Sequence, residues 1–545
     1  MRTLWKPVLG LLCTVSTPAL VMPAQAQSSD EPDTYVDMTI VVTAQRQAQR
    51  LQDVPIAVSA FSAENLESQQ IDNSQDLQLS LPNITFTKTN FTSSSFTIRG
   101  IGDLCVGVSC DSATGIHLND MPLLSPRLFE TEYFDLERIE VLRGPQGTLF
   151  GRNATSGVVN VITAKPDLSG FAASGEVEYG NFDSIRVKGM VNAPLSDTLA
   201  VRVAGYYLKR DGYTTNIATG NAIDGRDIYA IRGSLKWEPS PDTTLTLMAY
   251  YFHEDDNRSR IQKQLCHRDP TGVLGCLPDR LGNDVLNGNA TLASVLTSSE
   301  FLAIAVSPAF APFGTGSLYG PDSFANAVTP TSLRQVAIDY EPTYFADEEV
   351  YMGTFEQVIG PTQLTVTGGY SRNSVDSTTD YNLSIERSLL NNPGLLALQA
   401  SSASPIFGPL AATLIPNGAG GGVCQSAADP NNVGVYGGNS IGCYPTSLDF
   451  DRSQQDLEQW SAEAHLDSQF DGPINFLIGG IYLDAKIKDN SYYVNSFGLD
   501  YAAGLLGAAA AASGATGGVP VYRGSPFYRS NSPLLHLKSQ GIFGE

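Results

Sequence analysis

The sequence has no apolar run long enough to form a transmembrane helix. Such a helix needs about 20 apolar residues in succession, and the most apolar stretch, Ala502–Ala512, is shorter and interrupted by glycine. Only α-helices and closed β-barrels satisfy every backbone hydrogen bond in lipid. If the mature chain spans a membrane, it therefore does so with β-strands.

Positive charge is also scarce. The 545 residues include 33 Lys and Arg against 56 Asp and Glu, which gives a formal net charge of −23. Nucleic-acid binding needs a basic face, so this balance argues against a nucleic-acid partner. The five histidines show no ligand spacing, and no nucleophile, base and acid combine into a catalytic set. We therefore expect neither an enzyme nor a metal or cofactor site.

Cysteine is rare, with seven in the chain, of which Cys13 lies in the N-terminal leader. The other six fall into three close pairs: Cys105/Cys110, Cys266/Cys276 and Cys424/Cys443. An even number in an exported chain favours disulfides. The alternative is zinc, but zinc sites use more closely spaced cysteines with histidine nearby. The spacing favours local disulfides without establishing which cysteines pair.

The N-terminus has the pattern of a secretory signal peptide over residues 1–26. Arg2 and Lys6 carry the positive charge, and Val8–Val15 forms the apolar segment. Ala24–Ala26 supplies the small-x-small pattern that precedes cleavage. The alternative, a membrane anchor, is disfavoured because the apolar segment is too short to span a bilayer.

Residues 27–52 are predicted to form a flexible arm that contains one β-prone island. Ser28–Met38 is acidic and polar, a composition that disfavours order, whereas Thr39–Ala44 is rich in β-branched residues. A β-prone segment without its own sheet can pair with the edge of a partner protein. On the residues alone, an ordinary first strand of the next domain is as good an interpretation as pairing with a partner protein.

Residues 53–166 are predicted to form a compact α+β domain. A strand is expected at Val54–Phe61, and Ser62 is expected to cap a helix. A second helix is expected over Asp76–Ser80, ending before Pro82. Four more strands and a short helix follow: strands at Phe96–Gly100, Gly115–Leu118, Arg138–Leu142 and Gly157–Thr163, and the helix near Arg127–Tyr133.

From Phe171 onward, apolar and polar residues alternate in segments of roughly ten residues, the length of a tilted membrane strand. The pattern predicts nine strands and the start of a tenth. The clearest segments are Ser184–Ala193, Leu199–Lys209, Asp227–Trp237, Thr244–Tyr251, Val350–Val358, Gln363–Ser371, Gln459–Asp467, Ile474–Lys486 and Leu535–Phe543.

Alternation alone would fit a soluble β-sandwich, but two features favour an outer-membrane barrel. Aromatic residues collect near the strand ends, as interfacial girdles would. Short turns that contain proline alternate with long links, of which the longest are expected at residues 254–347, 372–456 and 488–533. Barrels of this kind have short periplasmic turns and long extracellular loops.

Four ordered motifs resemble those of the TonB-dependent outer-membrane receptors. They are TIVVTAQR (Thr39–Arg46), DVPIAVSAF (Asp53–Phe61), FTIRGIG (Phe96–Gly102) and ERIEVLRGPQGTLFGRNATSGVVNVIT (Glu137–Thr163). The resemblance implies a mainly β fold, in which an α+β plug at residues 53–166 precedes an antiparallel transmembrane barrel at residues 167–545.

In that family the barrel has about 22 strands around a plugged lumen. We therefore expect an incomplete barrel of about 10 of these strands, in a C-terminally truncated chain. An open sheet leaves an unpaired edge, which is costly in lipid. The residues present are thus not expected to form a functional pore alone.

The resemblance also implies roles for particular residues. A TonB-type energy-coupling protein of the inner membrane would bind five residues of the arm: Ile40, Val41, Val42, Thr43 and Ala44. Eight residues belong to the plug motif: Arg99, Gly100, Arg143, Gly144, Pro145, Gly147, Gly151 and Arg152. We hypothesise that the three arginines pair with carboxylates on the barrel wall and retain the plug; the alternative is that they only stabilise the plug fold.

The function implied is active uptake of a scarce small-molecule ligand across the outer membrane of a Gram-negative bacterium. An iron–siderophore is the first expectation, and a glycan, another sugar, cobalamin or a xenobiotic is the alternative. The expected partners are the TonB-type protein, outer-membrane lipid and the ligand. A passive porin, a surface-binding protein and an inactive truncated fragment are the competing interpretations.

Overall fold

The computed structural model describes most of the chain. The described residues are 40–43, 45–47, 49–88, 94–102, 112–124, 132–262, 267, 269–271, 273–274, 277, 287–428, 433–522, 529–531 and 534–545. The predicted signal peptide and most of the helix expected near Arg127–Tyr133 lie outside these residues. Within the described ranges, no helix combines the length and the apolar character needed to cross a bilayer.

The first part of the chain forms a small mixed domain around a five-stranded sheet. Its strands are β1 Val41–Val42, β2 Gln49–Arg50, β3 Val58–Ser62, β4 Ile84–Lys88, β5 Ser94–Ile98, β6 Thr114–Leu118, β7 Met121–Leu123, β8 Leu136–Arg143 and β9 Gly157–Thr163, and its helices are α1 Ala63–Ser68, α2 Ser74–Ser80 and α3 Gly147–Phe150. The sheet order is β3-β8-β9-β6-β7, and β6 and β9 are parallel. We call this domain the plug.

Local sequence explains where the plug elements begin and end. Ser62 caps α1 by accepting a hydrogen bond from the Asn65 amide. Asn73 caps α2, so this helix begins earlier than the predicted Asp76. The first long strand begins at Val58 rather than at Val54, because Pro55 lacks the N–H that a strand ladder needs.

The rest of the chain forms long strands joined by turns and by structured links. Its strands are β10 Ala172–Gly180, β11 Ser184–Ser196, β12 Leu199–Arg210, β13 Thr214–Asn216, β14 Ala222–Ile223, β15 Arg226–Ser240, β16 Thr243–Asp256, β17 Gln335–Val336, β18 Thr343–Ile359, β19 Thr362–Asp380, β20 Val423–Ser426, β21 Ser440–Tyr444, β22 Phe450–Ser468, β23 Leu477–Asn495, β24 Arg529–Asn531 and β25 Leu535–Gly544. The helices are α4 Leu292–Leu296, α5 Ser299–Phe301, α6 Pro393–Ala400, α7 Phe407–Leu414 and α8 Phe497–Ala512, with 3₁₀ segments at Gly288–Ala290, Pro308–Phe313 and Gly434–Gly437 and a π-helical turn at Leu302–Val306.

Eleven of these strands form one antiparallel sheet, in the order β10-β11-β12-β15-β16-β18-β19-β22-β23, with β24 and β25 both paired to β23. Because β24 and β25 follow one another along the same edge of β23, the sheet is ten strands across. This confirms the predicted fold class, a plug followed by an antiparallel barrel sheet of about ten strands. Among the described residues, β10 is not paired with the opposite edge, so the sheet is not closed. We call this sheet the wall.

The strands extend further into the long links than predicted. The links are residues 257–342, 381–449 and 496–528, instead of 254–347, 372–456 and 488–533. In β19 the extra residues run from Arg372 to Asp380 and, apart from Val375, are polar on both faces of the strand. The apolar alternation used for the prediction ends there, although the hydrogen-bonded ladder continues to Phe450 of β22.

One face of the wall carries a row of aromatic side chains. Tyr370 packs against Tyr351 at 6.4 Å and against Trp460 at 4.9 Å between ring centroids. Tyr229 and Tyr251 pack in the same way at 6.0 Å. Such a row is typical of the interfacial girdle of an outer-membrane barrel.

Parts of the three long links pack together into a second compact unit, which we call the loop cap: residues 287–342, 381–428, 433–449 and 496–522. Its core is apolar and includes the fully buried Leu398, Leu410 and Leu505. Cys424 and Cys443 join β20 to β21 by a disulfide. The buried Asp500 accepts hydrogen bonds from the amide and hydroxyl of Ser426, both at 2.9 Å.

Candidate functional site between the plug and the wall

The arm begins with a hairpin that lies against the plug. Val41 and Val42 pair with Arg50 and Gln49, and the Leu51 amide donates to the Ile40 carbonyl at 2.9 Å. Val42 is fully buried in an apolar cluster of the plug, whereas Val41 is exposed. Residues 40–43 and 49–52 are therefore packed, which differs from the flexible arm expected for residues 27–52. We call residues 40–52 the coupling hairpin; Ala44 lies outside the described residues.

The hairpin is bound to the plug through a buried carboxylate. Glu140 of β8 accepts a hydrogen bond from the Thr43 amide at 2.9 Å and another from Arg138 Nε at 2.7 Å. Burial raises the pKa of Glu140, while Arg138 and the Thr43 amide oppose that change. The four residues Thr43, Arg138, Glu137 and Glu140 thus join the hairpin to the plug sheet. No sequence motif marked Glu140 or Arg138 for this role.

Arg46 connects the hairpin, the plug and the wall. Its side chain is almost completely buried, and its Nη2 donates to Glu463 of wall strand β22 at 2.8 Å. Its Nη1 lies 3.3 Å from the Asp120 carboxylate of the plug. The guanidinium also lies 4.4 Å from the ring centroid of Phe150. The Arg46 side chain therefore contacts the hairpin, the plug and the wall, although Glu463 is 417 residues away in the sequence.

His117 lies beside this cation inside the plug. It is buried, and its Nδ1 lies 3.1 Å from the Asp120 carbonyl oxygen. Burial, together with the nearby Arg46 charge, lowers the pKa of His117 to about 4. The imidazole is therefore neutral at physiological pH, and the positive charge here is carried by Arg46.

The Gly-rich motif forms a tight elbow around α3. The Gly144 amide donates to Ser156, and Gly144 has a φ of 110°, a value that favours glycine. Gly147 begins α3, and Gly151 ends it with a φ of 73°. Pro145 lies between these turns and is exposed. The elbow places Arg152 next to the end of α3.

Two of the three motif arginines, Arg99 and Arg143, do not have the wall contacts hypothesised for them. Arg99 is exposed in the turn that includes Gly100, where its amide donates to Asn83. Arg143 has a buried Nε with no hydrogen-bond partner. In the described part of the chain, neither Arg99 nor Arg143 forms an ion pair with a carboxylate of the wall. The hypothesis for Arg152 stays untested.

Where plug and wall do form ion pairs, the charges are reversed relative to the hypothesis, because plug carboxylates bind wall cations. Two wall cations, Arg186 and Lys188, bind Asp72 of the plug at 3.0 and 2.9 Å. Although burial opposes it, the hydrogen bond from Lys188 lowers the pKa of Asp72. Thus the plug supplies the carboxylate and the wall supplies the cations.

A second plug carboxylate is bound in the same way. Asp135 accepts hydrogen bonds from Arg202 Nε at 3.0 Å and from Arg232 Nη2 at 2.8 Å. On wall strand β22, Gln459 accepts a hydrogen bond from the Leu124 amide at 2.9 Å and donates one to the Pro122 carbonyl. We call these contacts, together with Arg46–Glu463, the plug seat.

The remaining predicted site residues are cysteines. Cys424 and Cys443 form the disulfide of the loop cap. The other four, Cys105, Cys110, Cys266 and Cys276, lie outside the described residues. Within the described ranges, no group of three His, Cys, Asp or Glu residues is arranged to hold a metal ion.

Residues 50–158 match the TonB-dependent Receptor Plug Domain family. The chain is 30% identical over 255 residues to the iron-regulated outer membrane virulence protein of Vibrio cholerae. This alignment covers 44% of this chain and 37% of that protein. It is 30% identical over 230 residues to the pesticin receptor of Yersinia pestis, covering 41% of this chain and 32% of that receptor. The chain thus spans about a third of the length of these curated relatives.

The fold is similar to that of a solved outer-membrane receptor. The crystal structure of the siderophore receptor PiuA from Acinetobacter baumannii aligns with a TM-score of 0.53 and 13% identity, over 91% of this chain and 56% of that one. At this identity the likeness concerns the fold alone. The family model, the relatives and the fold agree: this chain carries the plug domain of the TonB-dependent receptors, and the relatives and the solved structure that it resembles are proteins of the bacterial outer membrane.

Proposed function

We propose that this receptor takes up an iron–siderophore complex, with energy supplied by a TonB-type protein of the inner membrane. The ligand would bind on the side of the loop cap, which we place outside the cell. The TonB-type protein would bind Ile40–Ala44 and pull. The aromatic row of the wall would lie at the lipid interface. The iron-regulated relative named above supports an iron-related ligand over a glycan, and a vitamin B12 transporter of Vibrio vulnificus, 31% identical over 166 residues, keeps cobalamin as the alternative cargo.

The observation that carries this proposal is the position of Arg46. A pull on Ile40–Thr43 first separates β1 from β2, a ladder of only two residue pairs. The next contacts to break are those of Thr43 with Glu140 and of Arg46 with Glu463 and Asp120. Separating a buried ion pair leaves an uncompensated charge and costs about 3–5 kcal/mol. The hairpin is therefore stable at rest, and a force applied to it reaches both plug and wall.

The experiment compares two deletions of equal length in the receptor expressed in iron-limited cells. Deleting Thr39–Ala44 removes the segment that the TonB-type protein would bind, and deleting Ser28–Asp33 shortens the same arm upstream of it. Uptake is measured with radioactive iron loaded on a panel of siderophores, at matched amounts of receptor in the outer membrane. We expect uptake to fall to background only in the first deletion, and to fall equally when the proton gradient is collapsed.

Passive entry would give a different result. If the Thr39–Ala44 deletion takes up iron as fast as the unaltered receptor, energy coupling through this segment is refuted and a porin-like function remains. Cobalamin and maltoheptaose are included as alternative cargo, and uptake of either one in place of iron would refute the siderophore proposal while retaining the coupled receptor.

A further inference from the structure

The four methionines of the described residues all lie where the plug meets the wall. Met121 of β7, Met248 of β16 and Met352 of β18 are buried in the apolar cluster that plug and wall share, and Met190 of β11 packs against it. Met248 and Met352 are direct partners in the strand register, so their side chains lie next to each other on the face turned to the plug. We call Met248 and Met352 the methionine pair.

A carboxamide of the plug is directed at both sulfurs of this pair. Asn119, in the turn between β6 and β7, accepts a hydrogen bond from the Thr163 amide through its Oδ1 at 2.8 Å. That bond fixes the orientation of the carboxamide and turns its Nδ2 towards the wall. Nδ2 donates to Thr163 Oγ1 at 3.0 Å, and it lies 3.5 Å from Met248 Sδ and 3.7 Å from Met352 Sδ. A thioether is only a weak acceptor, so the donor on this side has no strong partner.

A small cavity adjoins the two sulfurs. Its volume is about 30 Å³, enough for one water-sized group. The side chains of Thr246 and Asn119 also line it. Thr246 lies two residues from Met248 on the same face of β16, and its buried Oγ1 has no hydrogen-bond partner among the described residues. The cavity therefore places two donors beside a sulfur that can satisfy neither of them well.

An oxygen atom on the sulfur would satisfy both donors. Oxidation of methionine gives a sulfoxide, which is polar and chiral and which reductases convert back. With hydrogen peroxide, the sulfur lone pair attacks one peroxide oxygen, an S–O bond forms and the O–O bond breaks. The sulfur loses two electrons, and the other peroxide oxygen leaves as water after proton transfer. The product oxygen is a much stronger acceptor than the thioether.

We propose that Met248 is a site of reversible oxidation by peroxide, and that the sulfoxide oxygen enters the cavity and accepts hydrogen bonds from Asn119 and Thr246. Met248 is assigned rather than Met352 because its sulfur lies closer to Asn119 and because Thr246 is next to it on the strand. Oxidation of a buried methionine ordinarily disrupts packing. Here the oxygen has both room and donors, so it joins plug to wall and holds the plug more firmly.

Met121 provides a control within the same boundary. A Cβ on Gly369 of β19 would collide with the Met121 sulfur, so this sulfur fills a notch in the wall. Met121 does not line the cavity beside the methionine pair. Its sulfur is therefore shielded and should react slowly.

The test exposes the full-length receptor, in outer-membrane vesicles, to hydrogen peroxide at a dose calibrated on N-acetylmethionine. Mass spectrometry of the peptides measures the sulfoxide at each methionine. Each of the two epimer-specific methionine sulfoxide reductases is then applied to the peptides to identify the sulfoxide epimer. Hydrogen exchange of the plug amides is measured before and after oxidation in the unaltered receptor and in Met248→Leu, Met352→Leu and Asn119→Asp.

We expect Met248 to be oxidised roughly tenfold faster than Met121, because oxidation follows access to the sulfur. One epimer should predominate, since the cavity lies on one side of the sulfur. Exchange in β6 and β9 should slow by about fivefold, the effect of one added hydrogen bond. Met352→Leu should show the same slowing and Met248→Leu none. Asn119→Asp keeps the acceptor for Thr163 but loses the donor, so oxidation should accelerate exchange in this variant.

Three results would overturn the inference. Oxidation of Met248 no faster than that of Met121, or an equal mixture of epimers, would mean that the cavity does not receive the oxygen. Faster plug exchange after oxidation of the unaltered receptor would mean that the oxygen breaks the contact instead of strengthening it. Equal slowing in Met248→Leu would assign the effect to another residue.

Discussion

The plug and the loop cap are held by different mixtures of contact. The plug meets the wall through the ion pairs and hydrogen bonds of the seat, such as Asp135 with Arg232 and Arg46 with Glu463, and also through an apolar cluster that plug and wall share. The cap consists of a dry apolar core around Leu410 and Leu505, with a disulfide between β20 and β21. Polar contacts can be exchanged for water, whereas apolar surface is strongly disfavoured in water. We therefore expect the polar part of the plug–wall contact to be given up at a lower cost than the apolar core of the cap.

The same comparison explains what a receptor of this kind requires. When the plug moves, water hydrates the carboxylates and cations of the seat well, whereas the apolar cluster shared with the wall has to be exposed or repacked. The cap has the opposite task, because it must keep its shape while the lumen beneath it changes.

The largest expected effect is at Arg46. In Arg46→Met the Glu463 and Asp120 carboxylates lose their buried partner, so we expect the seat to lose about 3–5 kcal/mol. Hydrogen exchange of the plug amides should accelerate, while exchange in α8 of the cap stays unchanged. The double variant Arg46→Met/Glu463→Gln serves as the control and should recover much of the loss, because it removes both charges of that pair. Unchanged plug exchange in Arg46→Met would show that this contact does not hold the plug.

A somewhat smaller effect is expected in the cap. Leu505→Ala leaves a cavity in a fully buried position of α8 and should destabilise the cap by about 2–5 kcal/mol. Amide exchange in α7 and α8 reports the loss, and the plug amides should not respond. Leu396→Ala, at an exposed position of α6, is the matched control. A response of the plug to Leu505→Ala would mean that the two regions form one cooperative unit.

The plug and the cap should also differ in their response to pH. The pKa of His117 is about 4 in the folded plug, so the imidazole stays neutral until the pH falls to about 4. In an unfolded chain a histidine takes up a proton below about pH 6.5. The stability that this residue contributes is therefore present above pH 6.5 and is lost as the pH falls towards 4, by roughly 3 kcal/mol. His117→Gln should flatten this slope in a plug unfolding assay. The cap contains no histidine, and burial raises the pKa values of its carboxyls Asp339 and Glu386, so the cap should not lose stability as the pH falls. An equal slope in His117→Gln would contradict this account.

Much of the plug and the wall could be predicted because their signals are local. Alternation over ten residues identifies strands such as β11 and β12, and the motif at Glu137–Thr163 marks β8, α3 and β9. The seat could not be predicted in this way. Arg46 and Glu463 meet only because β22 packs over the plug. That the plug supplies the carboxylates, Asp72 and Asp135, and the wall the cations depends on which wall strand faces which plug loop.

The cap was missed for a different reason. Its helices, such as α8, come from links that the alternation pattern treats as loops, and their short apolar stretches bury one another only in the folded chain.

The most direct test pulls on the coupling hairpin of a single receptor held in a bilayer. A force applied at residue 40 should extend the chain in steps that together do not exceed roughly 440 Å, the extended length of residues 40–166 at about 3.5 Å each. We expect a distinct step for the release of Arg46 that is absent in Arg46→Met, with the wall and the loop cap intact throughout. Extension beyond that length, or disruption of the cap at the force that releases the plug, would contradict the claim that a pull on the hairpin moves the plug alone.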